Sequence, residues 1–513
     1  MSRSKRFLGG VTFGYVNQAL VMLVGLWLTP FVLNHIGQRN YGLWLVGMQA
    51  LSYLMLMDFG VVAILPREAA YATGRAISGA DGRDLPSVIG RTARVVLYQT
   101  PVVATAVAAL WFLMPSSWSA FRGPIGVAML GFTVLFPFRI FQAILHGIQD
   151  MLFLGRLQTV SWSLSTGLMI LLVLKSFGLY ALAIGWVAGQ VISTAVCFYR
   201  LRTRFSSILP SHLPSMSARD ILGSLTNGFW VTVSQVAQVL VGGTDLAVIS
   251  RFLGPTTVVP YSCTQKLVMV LGNQPLILME SAGPGLSQMK TSESRQRLFQ
   301  VSAALTQGML TLSGGVACIA LAVNHSFVSR WVGGNLYGGM PLTIAFVTCM
   351  LLRHWNTTTV FATFCFGHER RISLTTLTDG AISIITAVIL LRFFGPIGAV
   401  IGSITGVCLV SLPGNLSALA REGGVSLFTV ILSIWPWMWR FALLATVAGI
   451  VGQMWFHNTF WYIAGTAFCT GTVYCIVMLP MIIESQVRNY IPLRILQFLD
   501  GFRRLAPLVD AAR

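Results

Sequence analysis

Leu174-Lys-Ser-Phe-Gly-Leu-Tyr-Ala-Leu-Ala-Ile-Gly-Trp-Val-Ala-Gly189 returns 217 positions later as Leu391-Arg-Phe-Phe-Gly-Pro-Ile-Gly-Ala-Val-Ile-Gly-Ser-Ile-Thr-Gly406. Gly178, Gly185 and Gly189 fall on Gly395, Gly402 and Gly406. The same offset pairs Gln18 with Gln235, Gly25 with Gly242 and Gly37 with Gly254. Self-similarity at one fixed offset is the mark of an internal duplication. Both copies are almost wholly apolar. Small residues on one face of an apolar helix let a neighbouring helix approach closely, so packing is the plain account of these glycines. A transport site between the two copies is the sharper one.

Working outward from this pair, the chain reads as about fourteen apolar segments, each long enough to cross a bilayer. Charged residues are 10% of the sequence and the mean hydropathy is +0.75. A hydrocarbon core of roughly 30 Å needs about 20 apolar residues in helical form. Lipid offers no partner to backbone N–H and C=O groups, so the spans are helices. The alternation expected of barrel strands is missing. The expected spans are 9–33, 41–65, 92–114, 125–147, 157–174, 178–198, 221–251, 256–282, 298–323, 339–365, 373–391, 396–420, 441–457 and 460–483. The duplication relates the first span to the seventh and the sixth to the twelfth. An even number of spans separates the copies, so both face the same way, as a parallel repeat. The expected fold is therefore an all-α integral membrane protein. An N-terminal lobe of six helices covers 1–205 and a C-terminal lobe of six covers 206–422. Two further helices occupy 423–483, and an amphipathic cytoplasmic tail occupies 484–513. The longest loops, Pro66 to Arg91 and Tyr199 to Asp220, are too short for a folded catalytic domain.

The net charge of +19 would suggest nucleic acid in a soluble protein. Here the cations sit between spans, where they encode topology. One set of alternating loops carries 25 Lys and Arg, including Arg3, Lys5, Arg6 and the cluster Arg200, Arg202, Arg204. The other carries six, Arg39, Arg122, Lys175, Arg251, Arg330 and Arg392. Both termini are expected in the cytoplasm. The first apolar stretch, Leu8 to Leu33, is too long for a cleaved signal peptide and is read as a retained helix. The eight cysteines show no metal-ligand spacing and read as small packing residues. No nucleotide-binding loop, zinc-protease motif or paired-carboxylate loop is present in the sequence, so no enzyme, cofactor or metal site is expected.

Ionisable groups inside spans are costly and point to function. The three intramembrane cations are Arg139, Lys266 and Arg353. Arg139 and Arg353 each lie 14 residues from the start of their span, at near-equivalent places in the two copies. Guanidinium keeps its charge and grips phosphate oxygens as a fork. These three are expected to line a cationic substrate cavity; the competing account has each satisfied internally. The anions are Asp58, Asp245, Glu280 and Asp379. Asp58, Asp245 and Asp379 are candidates either for ion coupling or for pairing a buried base. His146 and His354 are candidate proton-sensitive donors.

The opening spans, Asn17…Leu28-Thr-Pro-Phe-Val-Leu-Asn-His-Ile-Gly37-Gln-Arg-Asn-Tyr41-Gly42-Leu-Trp and then Leu56-Met-Asp58-Phe-Gly60, resemble the bacterial polysaccharide transporters, the Wzx-type flippases of the multidrug/oligosaccharidyl-lipid/polysaccharide (MOP) superfamily. Arg139-Ile-Phe-Gln-Ala-Ile-Leu-His-Gly147-Ile-Gln resembles the same family. The motifs cover about 60 residues; the hydropathy and repeat pattern covers nearly the whole chain. The resemblance implies fourteen helices and alternating access around a cationic cavity in the bacterial inner membrane. It implies an undecaprenyl-diphosphate-linked oligosaccharide as substrate, an O-antigen or exopolysaccharide repeat unit. A polysaccharide polymerase and a chain-length regulator would be partners, with membrane lipid and without nucleic acid. A lipid II flippase or multidrug exporter of the same superfamily is the nearer alternative. An exporter of cationic drugs should favour buried acids over buried bases. A membrane glycosyltransferase or polysaccharide polymerase is the alternative of another class, and would usually carry a large extramembrane loop.

Overall fold

The structure is a computed structural model describing residues 21–77, 84–114, 118–148, 150–210, 212–292, 295–365 and 369–484. The proposed tail lies outside these residues. Among the described residues the chain is helical throughout, with no strand. The fold class is thus the all-α membrane architecture expected. Among the described residues, eight helices are long and apolar enough, by length and composition, to cross a membrane. A bent pair makes a ninth. Large apolar side chains such as Leu164, Leu171, Ile385 and Ile389 stay exposed on these helices, which lipid tolerates and water does not.

Two compact units share the chain, Met1–Val259 and Pro260–Arg513. In the first, α1 (Val21–Ile36) and α2 (Gln38–Leu54) lead to a 3-10 turn, Met55–Asp58. Then come α3 (Val61–Ile77), α4 (Asp84–Phe112) and α5 (Ser119–Leu135). A second 3-10 turn, Phe136–Arg139, precedes α6 (Ile140–Gly147), α7 (Met151–Leu174) and α8 (Leu179–Arg204). Next, α9 (Ala218–Gly243) and α10 (Asp245–Leu253) form the pair bent by 45°, and α11 (Pro255–Ser292) carries the chain into the second unit. An apolar core including Leu51, Leu65, Val96, Ile125, Ile144 and Leu201 fills the first unit.

The second unit continues with α12 (Arg295–Trp331), α13 (Met340–Cys365) and α14 (Glu369–Phe394). There follow α15 (Ile397–Gly406), a π-helical turn Val407–Ser411 and α16 (Leu412–Gly423). Short α17 (Leu427–Leu432), α18 (Trp435–Met454) and α19 (Phe460–Glu484) close the chain. Helix α12 packs against α13, α18 and α19.

The repeated segments form the same object twice, the hairpins α7–α8 and α14–α15. Gly178 and Gly395 turn the chain at φ of +56° and +58°, a region L side chains rarely adopt. Gly185 and Gly402 are where the paired helices touch. A methyl on Gly185 would lie 2.7 Å from Met169 Cβ, and one on Gly402 would lie 2.6 Å from the Ala387 backbone N. Gly37 and Gly254, also repeat-related, share φ of +85° and +90°.

Candidate functional site

Asp58 ends its helix. Its Oδ1 accepts the Gly60 N–H at 3.0 Å, while Phe59 and Gly60 take positive φ. A short polar side chain that binds the backbone two residues on competes with the helix ladder and stops it. Gln99 of α4 donates to the Asp58 carbonyl at 3.0 Å, so the freed backbone is satisfied inside the protein. The expected span 41–65 is therefore two helices with a polar break between them. The span carrying Arg139 breaks as well, at Phe136–Arg139, where Pro137 removes a backbone donor. The two breaks meet. Arg139 Nη2 stands 3.5 Å from Asp58 Oδ2, Nη1 donates to the Met55 carbonyl at 3.3 Å, and the guanidinium lies 5.7 Å from the centre of the Phe136 ring. The Asp58 side chain is 3% exposed and that of Arg139 29%. The ion pair is loose, and the cation has an open side.

That open side faces a cavity of about 410 Å³ within the first unit. Arg139, Gln142 and His146 reach it at i, i+3 and i+7 along one helix face. Trp186, Gln190 and Thr194 reach it from α8 at i, i+4 and i+8.

Arg353 is held in another way. Its Nη1 donates to Asp379 Oδ2 at 2.5 Å and its Nη2 to Oδ1 at 3.1 Å, a two-pronged pair. Nη2 also donates to the carbonyl of Ser403 at 2.9 Å and to its Oγ at 3.0 Å. Asp379 has no exposure and accepts further bonds from Ser383 at 3.1 Å and Ser411 at 2.6 Å. Ser411 ends the π-helical turn, and such turns widen a helix where a side chain must be fitted. This network ties α13, α14 and α15 together.

The remaining sequence candidates lie apart. Lys266 is half-buried on α11 and pairs with no carboxylate among the described residues. Asp245 opens α10 just past the bend, beside Tyr53, whose hydroxyl donates to the Gly243 carbonyl at 3.0 Å. His354 is buried with Nδ1 2.7 Å from Ser313 Oγ. The side chain of Glu280 lies outside the described residues. Sequence reasoning missed Ser383, Ser403 and Ser411, since serine is common in apolar helices. It also missed Gln142, Trp186, Gln190 and Thr194. The signal for those was present: two amides at helical spacing from an arginine, a tryptophan or a threonine, on helices otherwise apolar.

Residues 7–290 match the model of a family described as polysaccharide biosynthesis protein. The chain belongs to this family. No curated protein sequence matches it. Among solved structures, the fold is similar to the lipid II flippase MurJ in an inward closed conformation. The TM-score is 0.65 at 12% identity, over 92% of this chain and 100% of that one. It is similar also to an inward-facing multidrug resistance MATE family transporter of the MOP superfamily, with a TM-score of 0.59 at 15% identity, over 80% and 98%. A third is a MOP superfamily transporter from Pyrococcus furiosus described by the reverse polarity of its binding pocket, with a TM-score of 0.51 at 16% identity, over 80% and 94%. The fold is that of the MOP transporters.

Proposed function

We propose that this member of the polysaccharide biosynthesis family is a flippase. It moves a lipid-diphosphate-linked oligosaccharide from the cytoplasmic to the outer leaflet of a bacterial inner membrane, with both termini in the cytoplasm. The two repeats act as lobes, 1–205 and 206–422, that open alternately to the two sides. The observation that carries the reading is Arg139, a permanent cation inside a membrane helix, incompletely paired and open to a cavity lined by both polar and apolar side chains. An intramembrane Arg costs about 2.5–3.5 kcal/mol on insertion scales unless something compensates it. Asp58 compensates it partly, and a substrate diphosphate would complete the task. Lys266, without a carboxylate partner among the described residues, is kept as a candidate substrate cation of the second unit. The reversed pocket polarity described for the Pyrococcus furiosus transporter supports the idea that this fold can be built for either sign of cargo. Arg353 has its Nη donors occupied by Asp379 and Ser403, so we assign it to holding its lobe together. A polysaccharide polymerase and a chain-length regulator would act on the delivered product.

The test is deletion of the gene in its own host. Lipid-linked oligosaccharide should accumulate on the cytoplasmic leaflet and surface glycan should disappear. Normal surface glycan, with lipid II export impaired instead, would transfer the assignment to lipid II.

A further inference from the structure

The cavity beside Arg139 has more recognition chemistry than a phosphate requires. Among the described residues, the side chains of Gln142, His146, Trp186 and Gln190 make no hydrogen bond to the protein. Polar groups inside a membrane protein are normally satisfied by the protein itself, because hydrocarbon offers them nothing. Gln142 and Gln190 are exposed and His146 and Trp186 half-buried, so two amides, an imidazole and an indole present free donors and acceptors to one accessible space where a ligand can take them. The volume, about 410 Å³, lies within the roughly 300–1,000 Å³ typical of small-molecule sites.

The set of side chains indicates which ligand. An amide carries two donors and an acceptor, which matches vicinal hydroxyls that must both give and take. An indole offers a flat apolar face for the C–H face of a pyranose, with a donor at its edge. A guanidinium takes a phosphate. A bare phosphate would need only the last of these, and an acyl chain would need none. Resting on the flippase reading above, we propose that this cavity is the binding site for the sugar joined directly to the diphosphate. Trp186 stacks on the ring, while Gln142, Gln190 and Thr194 bond its hydroxyls. Arg139 exchanges the loose Asp58 contact for the sugar-linked phosphate. The first unit alone supplies every group named, so the sugar next to the phosphate is selected by α6 and α8.

Titration calorimetry on the full-length protein in nanodiscs tests this. The probes are farnesyl diphosphate and farnesyl diphosphates carrying glucose, galactose or N-acetylglucosamine. At least one sugar-bearing probe should bind tenfold or more tighter than farnesyl diphosphate. Gln190→Leu, and independently the isosteric Thr194→Val, should erase that difference while leaving farnesyl diphosphate binding within twofold. Arg139→Gln should weaken all four probes. Size-exclusion profiles matching wild type establish that the variants are folded. No preference for any sugar, or a preference that survives either Gln190→Leu or Thr194→Val, overturns the proposal. If that occurs while the deletion strain still accumulates lipid-linked oligosaccharide, the flippase reading stands and this site is wrong. If the probes behave as expected and the deletion strain accumulates nothing, the site stands as a glycosyl-phosphate site and the flippase reading falls.

Discussion

Asp379→Asn is the most direct test of how the second unit carries its buried charge. The substitution keeps shape and removes one negative charge from a site with no exposure. Arg353 cannot respond by losing its proton, because guanidinium stays charged. It would keep the Ser403 carbonyl and hydroxyl and one neutral acceptor, the amide oxygen, but lose the carboxylate charge and one of its two contacts, and Nε is already buried without a partner. Removing one member of a buried pair typically costs about 3–5 kcal/mol. Insertion scales put an uncompensated intramembrane Arg at about 2.5–3.5 kcal/mol. A loss of about 3 kcal/mol is therefore expected, roughly a hundredfold in the folding equilibrium. The double variant Arg353→Met with Asp379→Leu removes both charges and fills the space, which elsewhere is often neutral. It should recover to within about 1 kcal/mol of wild type. The assay is reversible unfolding in mixed detergent micelles for wild type, Arg353→Met, Asp379→Leu and the double variant, with Asp379→Asn measured beside this double-mutant cycle. Additive effects of the two single changes would refute the reasoning. Transport in the double variant then separates the roles: a stable protein that still exports glycan leaves Arg353 a structural residue, and a stable protein that does not makes it a substrate contact as well.

Four further outcomes are expected. Arg139→Ala should abolish surface glycan with near-normal protein abundance, and Arg139→Lys should restore part of it, because charge returns without the fork; export tracked beside immunoblotting checks this, and full activity in the Ala variant sinks the anion-site reading. Asp58→Asn should alter either transport or its dependence on the proton or sodium gradient, measured in energised vesicles; if neither changes, Asp58 has no part in coupling or in holding Arg139. Gly402→Val should cost about 1–3 kcal/mol by overpacking, since its Cβ would meet the Ala387 backbone, whereas Gly242→Ala, with nothing within 4 Å of the new methyl, should be neutral or stabilising in a thermal scan. Reporter fusions at Ser4 and after Arg513 should be active only in the cytoplasm, and a C-terminal fusion active outside would break the even span count.

The helical architecture was legible in the sequence because it follows from hydropathy, and hydropathy is local. The repeat was legible because glycine at a positive φ or a tight crossing tolerates no replacement. Gly178, Gly395, Gly185 and Gly402 meet those two demands. Two kinds of feature were not legible. The first is interruption: the break at Asp58–Gly60 and the bend at Thr244 lie inside stretches whose average hydropathy still reads as one span. The second is partnership. Arg353 and Asp379 are 26 positions apart, and Arg139 and Asp58 are 81 apart. Periodicity assigns each to a helix face but not to a neighbour, because the neighbour depends on tertiary packing.

The two arginines illustrate what duplication leaves behind. At the offset of 217, Arg139 falls on Asn356 and Arg353 falls on Phe136. Each cation is thus three residues from the repeat position of the other, one turn along the same helix face. Their surroundings have diverged in opposite directions. Asp379, buried between Ser383 and Ser411, grips Arg353 with both oxygens. Asp58 spends one oxygen on the Gly60 N–H and offers the other to Arg139 from 3.5 Å. A ligand can bias a conformational equilibrium only by as much as its affinity differs between the states. A guanidinium gripped by both oxygens of a buried carboxylate and by a serine carbonyl and hydroxyl has little to offer a passing anion in either state. One with a loose partner and an open cavity can gain a contact in one state that it lacks in the other. In the flippase reading, the substrate's negative charge therefore acts through the first unit, while the Arg353–Asp379 network braces the second internally.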